Sequence, residues 1–186
     1  MMPVRFEPAE TAPAPFALGP VVCGQALFKL FNTTGKSRAE MPSHAAETIR
    51  PGLGFTEQIA QYPDGRLQFG CAYKADVFDD RPTVAGQAMA NAVISDNIEG
   101  FADLPLERAW AGIVGQTLDG LPVIDARPGM DGLAINAGHF FGNLVGALSG
   151  EMIGETCLNR ESPFPTGPFS YGRFAGTLSP PEQPAR

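Results

Sequence analysis

Histidine and cysteine are scarce in this chain. Among 186 residues there are only His44 and His139, and the three cysteines, Cys23, Cys71 and Cys157, lie far apart with no C-x-x-C pair. That excludes a histidine-rich metal centre, a structural zinc site and a disulfide framework. Unpaired thiols fit a reducing, cytoplasmic setting. Basic residues are also few: 13 against 20 acidic ones, a net charge of -7, with no cluster of Lys and Arg. A phosphate backbone therefore finds no electrostatic footprint, and a nucleic-acid partner is excluded. No apolar run approaches the ~18 residues of a membrane span. The opening Met1-Met2-Pro3-Val4-Arg5-Phe6-Glu7-Pro8 has no apolar core of signal-peptide length. Internal repeats are absent.

What the chain does have is a domain-sized length, 44% hydrophobic and 18% charged residues, a composition able to build a core. Glycine and proline are abundant, at 22 and 18. Without a collagen-like period they signal many turns and close backbone approaches, and they argue against a helical bundle.

The prolines at 3, 8, 13, 15 and 20 predict an extended lead-in over residues 1–15. Val21 to Phe31 reads as a strand, with Gly24 marking a bulge or a close neighbour. Two alternating runs, Phe55–Gln61 and Arg66–Cys71, flank Tyr62-Pro63-Asp64-Gly65, a hairpin signature. From 83 to 101, Ala90, Ile94, Ile98 and Phe101 recur at helical spacing beside Ala85, Met89 and Val93. Strand character returns over Leu106–Ile113 and Gly132–Ala137, a helix is expected over 141–158, and the proline-rich end over 175–186 reads as a flexible tail. The sum is an α+β chain with an antiparallel sheet.

Chemistry concentrates where Ala137-Gly138-His139-Phe140-Phe141-Gly142-Asn143 joins a strand to the last helix. The first N–H groups of such a helix lack intrahelical partners and can face an electron-rich ligand. Within it Gly142, Gly146, Gly150 and Gly154 recur every fourth residue, each costing about 0.5–1 kcal/mol relative to Ala. Their spacing leaves a groove without side chains. Either a flat ligand lies against it or another backbone packs closely there; the strand–loop–helix context favours the ligand. A second segment runs from Arg108 through the single Trp110 to the Asp119-Gly120 turn and Pro122. Asp119 is either a plain turn residue, the simpler reading, or the anchor of a cofactor loop.

Trp110-Ala111-Gly112, Thr117-Leu118-Asp119-Gly120-Leu121-Pro122-Val123-Ile124 and Gly138-His139-Phe140-Phe141-Gly142-Asn143 together resemble the C-terminal half of FAD-dependent amine and amino-acid oxidoreductases. This is the D-amino-acid oxidase-like group of glycine oxidase, sarcosine oxidase beta subunits and opine-oxidising subunits. Gly24-Gln25 and the hairpin ending at Phe69-Gly70 resemble the same group, over about residues 16–174. The resemblance implies a substrate-domain sheet and helix over 16–109 and a flavin-contacting segment over 110–174. Trp110, Asp119, Gly120, Pro122, Gly138, His139, Phe140, Phe141, Gly142 and Asn143 would border the flavin, and Gln25 the substrate. It also implies oxidation of a C–N bond in an amino acid, secondary amine or opine to an imine. The last helix would point its N-terminus at the flavin pyrimidine ring, where it favours negative charge. His139 is either a contact to flavin or substrate, with general base as a further role, or a hydrogen-bonded loop residue.

Two departures shape the expectation. The adenine-nucleotide signature G-x-G-x-x-G has no counterpart: Gly52-Leu53-Gly54-Phe55-Thr56-Glu57 lacks the third glycine and does not qualify. The Rossmann half, and with it part of the FAD site, is therefore expected on a partner chain. Glycine oxidase-type arginines that clamp a substrate carboxylate are replaced here by Val114 and Phe141, closer to the beta-type subunits of multi-subunit enzymes. Two further readings stand beside a flavoprotein component: a non-catalytic assembly subunit or remnant that binds no flavin, and a stand-alone small-molecule binding module. His44, in an expected surface turn, and Cys71, without a partner spaced to activate it, are given no role.

Overall fold

The computed structural model describes residues 1–24, 53–117, 119–126, 130–139, 142–162 and 164–175. The chain forms two compact units, Met1–Gly120 and Leu121–Arg186.

The first unit is built on an antiparallel sheet whose middle is β1, Met2–Pro13. This corrects the lead-in expected there. The backbone is extended, but it is a central strand, because the prolines fall where a strand tolerates them. Pro3 and Pro13 sit near its ends, and Pro8 sits at a register shift between Glu7 and Ala9. On one side β1 pairs with β4, Arg66–Ala75, which pairs with β3, Leu53–Gln61, and β3 in turn with the short β2, Val22–Cys23. On the other side β1 meets two strands, β5 (Leu106–Ala109) and β6 (Gly112–Gln116). The single strand expected over 106–113 is thus split, and the break faces Pro8, whose carbonyl accepts the Trp110 N–H at 3.1 Å. The expected hairpin is present, closed at Gly65 with φ +89°.

Helix α1, Val84–Ser95, packs on β3 and β4. Its Ala90 and Ile94 join Ala9, Ile59, Leu67, Phe69 and Phe101 in the core, with Phe69 and Phe101 edge-to-face at 4.8 Å. The helix ends before residue 101, and Phe101 lies in a following 3₁₀ turn. Buried polar groups fix where α1 starts. Thr83 caps it by accepting the Gly86 N–H at 3.0 Å. Glu7 accepts the Thr83 N–H at 2.7 Å and pairs with Arg5 at 2.9 Å, placing a buried carboxylate at the positive end of the helix. A strap over residues 14–18 is tied down by Gln61, which accepts the Leu18 N–H at 2.7 Å and donates to the Phe16 carbonyl at 2.9 Å.

The second unit is smaller. Strands β7, Val123–Ala126, and β8, Ala134–Ala137, form an antiparallel pair against which α2, Gly142–Cys157, packs. Two 3₁₀ turns, Gly167–Phe169 and Tyr171–Phe174, close on β7. Every strand pairing among the described residues is antiparallel, as the α+β reading required. No helix among the described residues is long and apolar enough to cross a membrane.

Candidate functional site

The loop ahead of α2 is set by glycine and histidine. Gly138 holds φ +80°, the left-handed conformation that turns the chain out of β8. His139 follows, and its Nε2 lies 2.8 Å from Ser149 Oγ. That hydroxyl has one proton, and gives it to the Gly146 carbonyl at 3.0 Å, so His139 donates through Nε2 and Ser149 accepts. The ring pins the loop to the second turn of α2 through Nε2. Of the two readings of His139, the hydrogen-bonded loop residue is the one this geometry displays. Ser149, one of two buried side chains on α2 with Met152, carried no sequence signal, since ten residues separate it from its partner.

The glycine stripe is open. A Cβ built on Gly146, Gly150 or Gly154 meets no described atom within 4 Å, and one on Gly142 meets only the His139 Cβ at 3.7 Å, an ordinary contact. No described side chain fills the groove. The two helices also differ at their starts. Glu7 and Thr83 occupy the N-terminus of α1, whereas the first turn of α2 has no acidic residue and Gly142 and Asn143 are exposed. An electron-rich ring edge is the kind of group such a terminus accepts.

Pro122, half-buried, precedes β7, and the segment around it is fastened from the far end of the chain. Arg173 donates through Nη2 to the Leu121 carbonyl at 2.7 Å. Asp125 accepts the Ser170 hydroxyl at 2.7 Å and the Tyr171 N–H at 2.8 Å. Neither Asp125 nor Arg173 stood out by spacing. In the first unit, Gly120 has φ +76° and donates its N–H to the Thr117 carbonyl at 3.3 Å, so Asp119 and Gly120 form the expected turn. Trp110 is half-buried at the break between β5 and β6, with the Arg108 guanidinium carbon 4.8 Å from the centre of its ring.

Trp110, Asp119 and Gly120 thus belong to the first unit, and Pro122, Gly138, His139, Gly142 and Asn143 to the second. Gln25, Phe140 and Phe141 lie outside the described residues, as do His44 and most of the strand expected over 21–31. Val114 sits within β6 opposite Val4 of β1, an apolar pairing with no cation for a carboxylate. The near match to a phosphate loop is not a loop where it is described: Leu53 to Glu57 lie in β3, and a Cβ on Gly54 would run into the Tyr73 ring. Gly54 is a packing glycine. Gly24 is one too, since a Cβ there would strike the Glu57 side chain. Cys71 is half-buried, and desolvation raises its thiol to about 11, which leaves no thiolate for nucleophilic work.

Residues 28–156 match the model of the FAD dependent oxidoreductase family. The chain belongs to that family. Among family relatives, glycine oxidase of Pseudomonas aeruginosa is 30% identical over 108 residues, which is 58% of this chain and 30% of the relative. Sarcosine oxidase subunit beta of an Arthrobacter species is 36% identical over 75 residues, 40% of this chain and 18% of that subunit. L-proline dehydrogenase from P. horikoshii shares the fold, with a TM-score of 0.71 and 19% identity over 94% of this chain and 40% of that one. The match spans less than half the length of each of these relatives. The resemblance drawn from the tryptophan, Asp-Gly and Gly-His segments is therefore borne out at the level of the family, and the α+β class with it.

Proposed function

We propose that this chain is the substrate-sheet and helix-terminus component of a flavoprotein that oxidises the C–N bond of an amino acid, secondary amine or opine to an imine. The observation that carries this is the start of α2. A helix whose N-terminus and glycine stripe meet no carboxylate or filling side chain among the described residues fits the electron-rich edge of a flat ring. Bound there, a flavin supplies a two-electron acceptor for the hydride leaving the carbon beside the amine nitrogen, and water then hydrolyses the imine. The chain's own part is positional. Gly142 and Asn143 present the helix terminus and Gly138 and His139 shape the loop before it, while the family resemblance assigns Phe140, Phe141, Pro122, Trp110, Asp119 and Gly120 to flavin contact. Gln25 contacts the substrate, and any proton transfer by His139 falls to Nδ1, since Nε2 is held by Ser149.

The adenine-nucleotide end of FAD is assigned to a partner chain bearing the Rossmann half, acting in the cytoplasm. The similarity to a sarcosine oxidase beta subunit supports a multi-subunit setting. The second reading is an assembly subunit or remnant that binds no flavin. Co-expression with a dinucleotide-binding partner separates the two. A yellow complex that oxidises a secondary amine, with a colourless chain when expressed alone, is expected. A stable but colourless complex would select the second reading.

A further inference from the structure

Glu10 is a buried charged side chain that the proposed chemistry does not use. It is 2% exposed, and each carboxylate oxygen takes one guanidinium: Oε2 from Arg66 on β4 at 2.9 Å, and Oε1 from Arg108 on β5 at 3.0 Å. Glu10 and Arg108 are cross-strand partners in register. Arg108 is two residues before Trp110, so the two side chains leave the same face of the chain. Its guanidinium lies over the indole at 4.8 Å from the ring centre. Arg108 is otherwise 64% exposed, and a free arginine at such a site samples many rotamers. Here a buried anion fixes one end while the indole face receives the other.

We propose that Glu10 is a positioning residue for Trp110, acting through Arg108. Three features make the arrangement more than a surface ion pair. The anion is buried and rigid, so it does not follow the cation as a surface carboxylate would. The guanidinium is planar, so an in-plane bond to Glu10 and a stacked contact to Trp110 form together without competing. And the Trp110 backbone is separately anchored to Pro8, so the side-chain torsions are what the stacked cation restricts. Arg66 completes the charge balance on Glu10, and Asp64 holds Arg66 in turn at 2.8 Å. The consequence for catalysis rests on the reading of Trp110 as a flavin-bordering residue; the positioning itself does not.

Trp110 is the only tryptophan, so its fluorescence in the intact chain reports this contact directly. An exposed cation–π contact shifts the stacked-to-free ratio of a ring by about two- to fivefold. Arg108→Met and Glu10→Gln should therefore each raise the acrylamide quenching constant of Trp110 by roughly a factor of two and lower its anisotropy. Arg108→Lys, which keeps charge but not the planar stack, should restore the wild-type signal only in part, and Arg66→Met should leave it near wild type. Arg108→Met alters an exposed side chain, so it keeps the test valid should Glu10→Gln fold poorly. Wild-type quenching and anisotropy in folded Arg108→Met would overturn the proposal. In the yellow two-chain complex, the same variants should shift the flavin absorption band and raise KM more than they lower kcat. A Trp110 response with an unmoved flavin band would uphold the positioning and count against the flavin reading.

Discussion

At the scale of single residues, the buried charges decide more than the hydrophobic ones. Gly86 is the clearest case. Replacing a helical glycine by alanine ordinarily stabilises by about 1 kcal/mol, but here the new Cβ would collide with Glu7 Oε2, and Glu7 is held by Arg5 and Thr83. Gly86→Ala is expected to destabilise by about 1–3 kcal/mol, read as a lower urea midpoint with unchanged slope. Cys71 gives a pH-dependent counterpart. Its thiol titrates near 9.0 when unfolded and near 11 when folded. Below that window both states hold the proton and the thiol is neutral to stability. Within it the unfolded chain releases the proton first, so stability falls as pH rises, by about 1–3 kcal/mol in all. The difference in urea midpoint between wild type and Cys71→Ala across this range measures it, and a parallel pair of curves would refute it. None of this was legible in Arg5-Phe6-Glu7-Pro8-Ala9-Glu10, where charge and proline read as solvated and irregular. Apart from Arg5, the partners that make those carboxylates burial-competent, Thr83, Arg66 and Arg108, lie 56 to 98 residues away.

At the scale of elements, local chemistry was legible and pairing was not. The β3–β4 hairpin followed from Asp64-Gly65 between alternating runs, and α1 and α2 from their periodicity, because turn residues and amphipathic spacing act over a few positions. The place of β1 in the sheet depends on β4, β5 and β6, and no local pattern announces partners. The glycines of α2 are the instructive middle case: their spacing was plain, and only coordinates could show that the groove is unfilled. With nothing within 4 Å of a Cβ at Gly150, Gly150→Ala should stabilise the chain by about 0.5–1 kcal/mol, visible in thermal unfolding. If the stripe serves a flat ligand, the same variant should weaken flavin retention in the two-chain complex. Stabilisation with flavin retention intact would remove the ligand explanation and leave backbone packing. Ser149→Ala, one residue earlier, should act on the loop ahead of the helix through His139, costing about 1 kcal/mol and speeding amide exchange around residues 138–146.

At the scale of the whole molecule, the two units are unequally provided with core. The first buries Val4, Ala9, Ile59, Leu67, Phe69, Ala72, Tyr73, Ala90, Ile94 and Phe101; among its described residues the second buries only Val123, Ile124 and Met152 as apolar side chains. A two-stranded sheet is marginal in water by itself, so the second unit depends on the packing of α2 against β7 and β8. On α2 itself Leu144 is 78% exposed and Leu148 also lies open, apolar surface of the sort that marks contact with another protein surface. Native-state hydrogen exchange should therefore find β7, β8 and α2 opening roughly tenfold or more faster than β1 and β4, a gap of ~1.4 kcal/mol. Binding of a dinucleotide-bearing partner should slow exchange in α2 and β8 while leaving the first unit nearly unchanged. Equal protection in both units of the isolated chain would mean that the second is already covered, and a partner chain would then have no stability to supply there.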